Sequence, residues 1–162
     1  MAGSTTKKVL VRRFDGQAVT GHAAPPTYLR PDGIEILNRD GQLLVIPYNE
    51  LKAVYFVRDF EVSEAGDEKK LFQSRPKLEG LWARLRFRDD DVLEGILPND
   101  LLQATELGVT ITPPDPYSNN QKIFVPRQAL KELTVLGVIG SPIHKPRAKR
   151  QAPSKEQIDL FE

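Results

Sequence analysis

Two histidines, no cysteine and three short polar clusters hold most of the chemistry open to this 162-residue chain. His22 ends a strand-like segment and His144 falls in a proline-rich tail. Neither has a serine-centred motif beside it, so no catalytic triad is expected. The lack of cysteine excludes disulfides, thiolate metal sites and a cysteine nucleophile. There is no P-loop, dinucleotide fingerprint or two-histidine metal motif. Asp89-Asp90-Asp91 offers oxygens of the kind that suit calcium or magnesium. Its spacing lacks the alternating ligands of a calcium loop, and aspartate tolerates turn geometry, so a hairpin tip is expected. Asp115, Ser118, Asn119 and Asn120 could hold a ligand through side-chain amides. These residue types ordinarily bond their own backbone, so they are expected to shape a long hairpin. The third cluster is Trp82, Arg84 and Arg86. Strand alternation puts these on one face and Ala83, Leu85 and Phe87 on the other, toward a core. The first face is either a platform for stacked bases or a packed tryptophan under arginine stems. No catalytic residue, metal or cofactor is expected, and the chain reads as a binding protein rather than an enzyme.

The composition is that of a globular protein, with 40% hydrophobic and 28% charged residues. The net charge is +1, unevenly spread. The segment after Gly140 carries Lys145, Arg147, Lys149, Arg150 and Lys155 against Glu156, Asp159 and Glu162, which leaves the body at −1. Such a body lacks the bulk signal of a nucleic-acid binder. The first residues are polar and no apolar run follows them, so no signal peptide is expected. No stretch is long enough to span a bilayer, and a cytoplasmic protein with no membrane partner is expected.

The elements that position these clusters are written twice. Val9-Leu10-Val11-Arg12 leads through Asp15-Gly16 to Ala18-Val19-Thr20-Gly21. Seventy-four residues on, Ala83-Arg84-Leu85-Arg86 leads through Asp89-Asp90 to Val92-Leu93-Glu94-Gly95. Each reads as a β-hairpin with an aspartate-centred turn. Ile46-Pro47, Leu51-Lys52, Val54 and Phe56 recur 79 residues on as Val125-Pro126, Leu130-Lys131, Leu133 and Val135. Between these ends, Gly33 to Leu37 and Leu43 to Ile46 read as strands joined at Asp40-Gly41. Pro47 closes the fourth strand, Tyr48 to Lys52 suits one 3₁₀ turn, and Val54 to Val57 makes a fifth strand. Five short strands with a helical turn before the last is the layout of an SH3-like or Sm-like barrel, which covers its own sheet edges. The expected fold is therefore mainly β, two tandem five-stranded barrels at 7–60 and 81–140. A charged linker at 61–80, with a possible short helix over 64–72, joins them. A disordered basic tail follows at 141–162.

Val54-Tyr55-Phe56-Val57-Arg58-Asp59-Phe60 resembles the end of the first repeat in an uncharacterised bacterial family of unknown function. Pro113-Pro114-Asp115-Pro116-Tyr117-Ser118-Asn119-Asn120, followed by Ile123-Phe124-Val125, resembles that family's second-repeat signature. The resemblance covers most of 9–136. It implies an association with proteins that carry cyclic-dinucleotide-binding barrels, and it carries over no active site. The arginine-rich motif and the Asp-x-Ser-x-x-Gly element of those barrels are absent, so cyclic-dinucleotide binding is not expected.

At the C-terminal end, Gln157-Ile158-Asp159-Leu160-Phe161 resembles the pentapeptide with which bacterial proteins bind the DNA sliding clamp. Ile158 departs conservatively from the favoured leucine. The resemblance implies that Gln157 enters a polar subsite while Leu160 and Phe161 fill an apolar pocket. Burying those two side chains is worth about 3–6 kcal/mol. Micromolar affinity needs about 8 kcal/mol, so the peptide alone is expected to bind weakly. Lys145, Arg147, Lys149 and Arg150 are placed to touch DNA threaded through the clamp and add avidity. The leading expectation is an adaptor that docks on the clamp. The alternatives are an RNA or single-stranded DNA module using Trp82, Arg84 and Arg86, or a signalling protein of unknown ligand. Oligomeric state stays open: Sm-like barrels often form rings, but a fused duplication could satisfy its edges internally.

Overall fold

The computed structural model describes residues 6–60, 70–100, 102, 106–114 and 120–140. The tail 141–162, with His144, Lys145, Arg147, Lys149, Arg150 and the Gln157, Ile158, Asp159, Leu160, Phe161 motif, lies outside the described residues. So do Asp115, Ser118 and Asn119 and most of the helix expected over 64–72.

The described chain is mainly β. Its strands are β1 (Lys7–Arg13), β2 (Ala18–Ala23), β3 (Leu29–Arg30), β4 (Gly33–Asn38), β5 (Leu43–Ile46), β6 (Leu51–Val57), β7 (Gly80–Phe87), β8 (Val92–Leu97), β9 (Gly108–Ile111), β10 (Asn120–Pro126) and β11 (Leu130–Ile139). One 3₁₀ turn, Arg127–Ala129, precedes the last. Among the described residues no helix is long and apolar enough to cross a membrane.

The two hairpins repeat each other bond for bond. In β1–β2, Asp15 Oδ1 accepts from the Gln17 N–H at 2.9 Å, and Gly16 takes a φ of 91°. In β7–β8, Asp89 Oδ1 accepts from the Asp91 N–H at 3.1 Å, and Asp90 takes a φ of 73°. Aspartate is one of the few residues besides glycine that enters this left-handed region readily. The next amide behaves alike in both hairpins. Phe14 N–H donates to the Glu50 carbonyl at 3.1 Å, and Arg88 N–H donates to the Ala129 carbonyl at 2.9 Å. Pro47 and Pro126 end their strands, and each is followed by a tight turn leading into β6 or β11.

The ladders also repeat. β1 pairs with β2 and β6, and β7 pairs with β8 and β11, all antiparallel. β4 pairs with β5, and β9 with β10. β2 meets β4 through Gly21 and His22, whereas β8 meets the end of β9 only through the Ile96–Thr112 bridge. The grouping nevertheless departs from the expected five and five. β10 pairs antiparallel with β6, with Phe124 opposite Val54 and Ile123 opposite Tyr55. The result is an eight-stranded sheet, β3-β4-β2-β1-β6-β10-β9 with β5 on β4, curled into half a barrel, and a three-stranded sheet β11-β7-β8.

That junction explains three apolar runs. Strands covered on both faces read as continuous hydrophobic stretches rather than as alternation. β1, β6 and β10 divide two cores between them. Val9, Val11, Val54, Phe56 and Phe124 point into the first, with Tyr28 edge-on to the rings of Phe56 at 5.5 Å and Phe124 at 6.0 Å. Leu10, Ala53, Tyr55, Val57, Ile123 and Val125 point into the second, against Leu85, Phe87 and Ile111. Each core thus holds side chains from both halves of the sequence. Each such buried side chain is worth about 1.5–3 kcal/mol.

The part of the connection that the structure describes, 70–79, is tied to the second half. Glu94 N–H donates to the Lys70 carbonyl at 2.7 Å, Phe72 is half-buried and Pro76 is buried.

Candidate functional site

Arg84 and Glu94 stand directly opposite each other in the β7–β8 ladder, with Trp82 one alternate position away. Glu94 is the buried acid of the described chain, only 2% exposed. Arg84 grips one of its oxygens with Nε at 3.0 Å and Nη2 at 2.7 Å. The other oxygen accepts from Trp82 Nε1 at 3.3 Å and from the Phe72 N–H at 3.0 Å. Burial by itself would raise the Glu94 pKa. The donors from Phe72, Arg84 and Trp82 outweigh it and hold the carboxyl below its ordinary value. The Phe72 ring meets Trp82 edge-on at 6.1 Å. Trp82 and Arg84 are therefore brought together around one carboxylate. Arg86 turns toward β11, where its Nε lies 3.6 Å from Glu132. Both arginines of this face carry an acidic partner.

The aspartates at the β7–β8 tip are anchored by lysines. Lys52 Nζ, on β6, reaches Asp89 Oδ2 at 2.9 Å and Asp91 Oδ2 at 3.0 Å. Lys70 adds to Asp91 at 3.1 Å, and Lys131 binds Asp90 at 2.7 Å. Burial would lower the Lys52 pKa, but Asp89 and Asp91 raise it. Asp91, conversely, is lowered by Lys52 and Lys70 against the upward push of burial. Among the described residues no group of three or more acidic, histidine or cysteine side chains could hold a metal ion. Beside this cluster, the Arg88 guanidinium lies 3.9 Å over the Phe14 ring. It donates to the carbonyls of Asn49 and Gln128, which occupy the same place in the two tight turns. Of these charges, Lys52 and Arg88 fasten one half of the chain to the other.

A cleft of about 640 Å³ opens between the halves. Tyr28, Leu29 and Phe56 from the first half line it together with Leu81, Leu97 and Val109 from the second, and Lys7 and Lys122 are also in its wall. This is the volume of a small-molecule site, and mostly apolar walls with a few polar groups suit that use. Lys122 Nζ donates to Thr112 Oγ1 at 3.0 Å. Asp100 and Gln121, also in the wall, adjoin in sequence stretches outside the described residues. His22 sits on β2, edge-on to Phe60 at 5.6 Å.

Reading the sequence for chemistry passes over Glu94, Lys52 and Arg88. For Glu94 the signal is available. Centring the hairpin on Asp89-Asp90 puts residues 84 and 94 face to face, so a glutamate there is the natural partner of Arg84.

A β protein with two interlocked cores, its halves further joined by Lys52 and Arg88, is the class these features define. The chain belongs to DUF6982, a family of unknown function, whose model matches residues 5–137. This agrees with the resemblance to an uncharacterised family. No curated protein and no solved structure matches the chain.

Proposed function

We propose that the protein is a cytoplasmic, non-enzymatic adaptor. Its body is two diverged copies of one five-stranded SH3-like or Sm-like barrel, fused through β6 and β10. Its C-terminal segment docks on the bacterial DNA sliding clamp. The repetition of turn bonds and ladders supports the duplicated barrel. In this reading β9 and β10 complete the second barrel across the Ile96–Thr112 bridge. The observation that carries the docking function is the pentapeptide Gln157-Ile158-Asp159-Leu160-Phe161, set beyond a basic, proline-containing stretch. Recognition through an extended peptide needs accessible apolar side chains and no reactive group, which fits a body whose charged residues hold it together.

The test is a calorimetric titration of purified bacterial sliding clamp with the full chain and with its Leu160→Ala/Phe161→Ala variant. Weak binding is expected for the wild type. Losing two side chains of about 1.5–3 kcal/mol each implies a loss of affinity of roughly a hundredfold or more. Equal binding by the two proteins overturns the docking reading. Base stacking on Trp82, Arg84 and Arg86 has less support, because Glu94 and Glu132 already engage both arginines.

A further inference from the structure

The junction between the halves is one that the ends of the molecule can repeat. β6 has a strand on each side, β1 and β10. β11 stands to β7 as β6 stands to β1, but among the described residues only β7 pairs with it. β5 stands to β4 as β10 stands to β9, and among the described residues only β4 pairs with it. The chain therefore contains one finished junction, β6 with β10, and the two separate halves of a second.

The side chains tell the same story. Val54 and Phe56, on β6, are buried. Their counterparts 79 residues on, Leu133 and Val135, are 38% and 48% exposed. Phe124, on β10, is buried, while its counterpart Val45 is 50% exposed and the neighbouring Leu43 is 67% exposed. Leu136 and Val138 extend the bare apolar row along β11. β11 carries its charges, Lys131 and Glu132, at its start, while its remaining stretch from Leu133 to Ile139 and the whole of β5 carry none. An uncharged edge with apolar side chains is a template for another strand, and soluble proteins ordinarily blunt such edges. Here the apolar residues lie where the internal junction makes its contacts. At the far end of β11, Arg75 Nη2 lies 3.5 Å from the Val138 carbonyl.

We propose that β11 of one copy adds antiparallel to β5 of the next, repeating the β6–β10 junction between chains. Internally, Phe124 faces Val54, Ile123 faces Tyr55 and Lys122 faces Phe56. The same register between copies sets Val45 opposite Leu133, Leu44 opposite Thr134 and Leu43 opposite Val135. The contact is head-to-tail, because each copy presents two different edges. Repeated with one rotation, it closes into a ring or runs on as a filament. The proposal rests on the duplicated-unit reading, since the correspondence of β5 with β10 and of β11 with β6 defines the partners.

The chain has no cysteine, so the register can be mapped by disulfide formation. Facing residues in an antiparallel pair have Cα atoms about 4.5–5.5 Å apart, within disulfide reach. Under mild oxidation, a mixture of full-length Val45→Cys and Leu133→Cys variants is expected to give a covalent dimer. The doubly substituted chain is expected to give a ladder, and each single variant alone little product. Light scattering on the wild type is expected to show multiples of the monomer mass. The Leu133→Lys/Val135→Lys variant is expected to dissociate at protein concentrations roughly a hundredfold higher or more, with an unchanged circular dichroism spectrum. A wild type that stays monomeric at millimolar concentration overturns the proposal. So does association that survives the lysine variant, or efficient dimers from either single-cysteine variant alone, which mean like edges pairing. Amide exchange in the same samples separates the two readings. Protected Val54 and Phe124 amides, which face the β6–β10 junction, in a monomeric protein sink only the self-association. Unprotected ones sink the shared junction and the duplicated unit with it.

Discussion

Replacing Glu94 by glutamine removes one charge and almost no volume from the centre of the Trp82–Arg84 cluster. The glutamine oxygen can still accept from the Phe72 amide and Trp82 Nε1. Its NH₂ group then faces the Arg84 guanidinium, donor against donor, where two short charge-assisted bonds stood. Charge-assisted bonds are worth about 1.5–3 kcal/mol. A fully buried pair broken on one side costs about 3–5 kcal/mol, but the Arg84 side chain is 48% exposed and can turn to water. We therefore expect a loss of about 2 kcal/mol, and for a chain of this size a drop in melting temperature of roughly 4–8 °C. The pH dependence gives an independent check. The folded state lowers the Glu94 pKa, so its contribution is complete above the ordinary glutamate value and disappears as pH falls through the lowered one. Wild-type stability should therefore fall on the acid side more steeply than that of Glu94→Gln, by up to about 1.4 kcal/mol per pH unit. Asp89 and Asp91, also lowered, act in the same sense and remain in both proteins. Urea unfolding followed by the fluorescence of the sole tryptophan, Trp82, reads the site directly. A variant within about 0.5 kcal/mol of wild type at pH 7, or one with the same acid slope, would falsify the account of this cluster.

Two further perturbations probe the packing and the joint. A Cβ on Gly95 would lie 2.5 Å from Ile111 Cδ1, so Gly95→Ala is expected to cost about 1–3 kcal/mol by overpacking, measured by denaturant unfolding. An added Ile111→Val substitution should recover part of that loss. Lys52→Met removes the link from β6 to the β7–β8 tip, and its half-exposed partners limit the expected cost to about 1 kcal/mol. The Lys52 pKa is raised in the fold, so its contribution holds below the ordinary lysine value and is lost as pH rises through the raised one. Thermal melts above pH 10 should therefore narrow the gap between wild type and variant.

Much of the fold can be read from local signals. Asp15-Gly16 and Asp89-Asp90 mark their hairpins because few residue pairs suit such turns, and Pro47 and Pro126 stop strands that they cannot extend. Alternation from Trp82 to Phe87 correctly sends Ala83, Leu85 and Phe87 inward. The β6–β10 junction is a different matter. Ala53 to Val57 and Ile123 to Val125 fit a half-buried strand well enough to be read that way. Only their lack of polar alternation hints at a second covered face, and nothing local names the strand that covers it. The candidate site shows the same division. Sequence spacing groups Trp82 with Arg84, but the attachment of 70–72 beside them depends on a chain reversal with no motif of its own.

The order in which the chain is made gives the shared sheet a temporal consequence. β6 leaves the ribosome with its outer edge bare, and its partner β10 follows only about 70 residues later. At about 5–20 residues per second, that interval lasts on the order of 3 to 14 s. Throughout it the nascent first half presents an adhesive strand, alongside a core still missing Phe124. Synthesis itself thus sets how long the half-made protein must be kept from its neighbours.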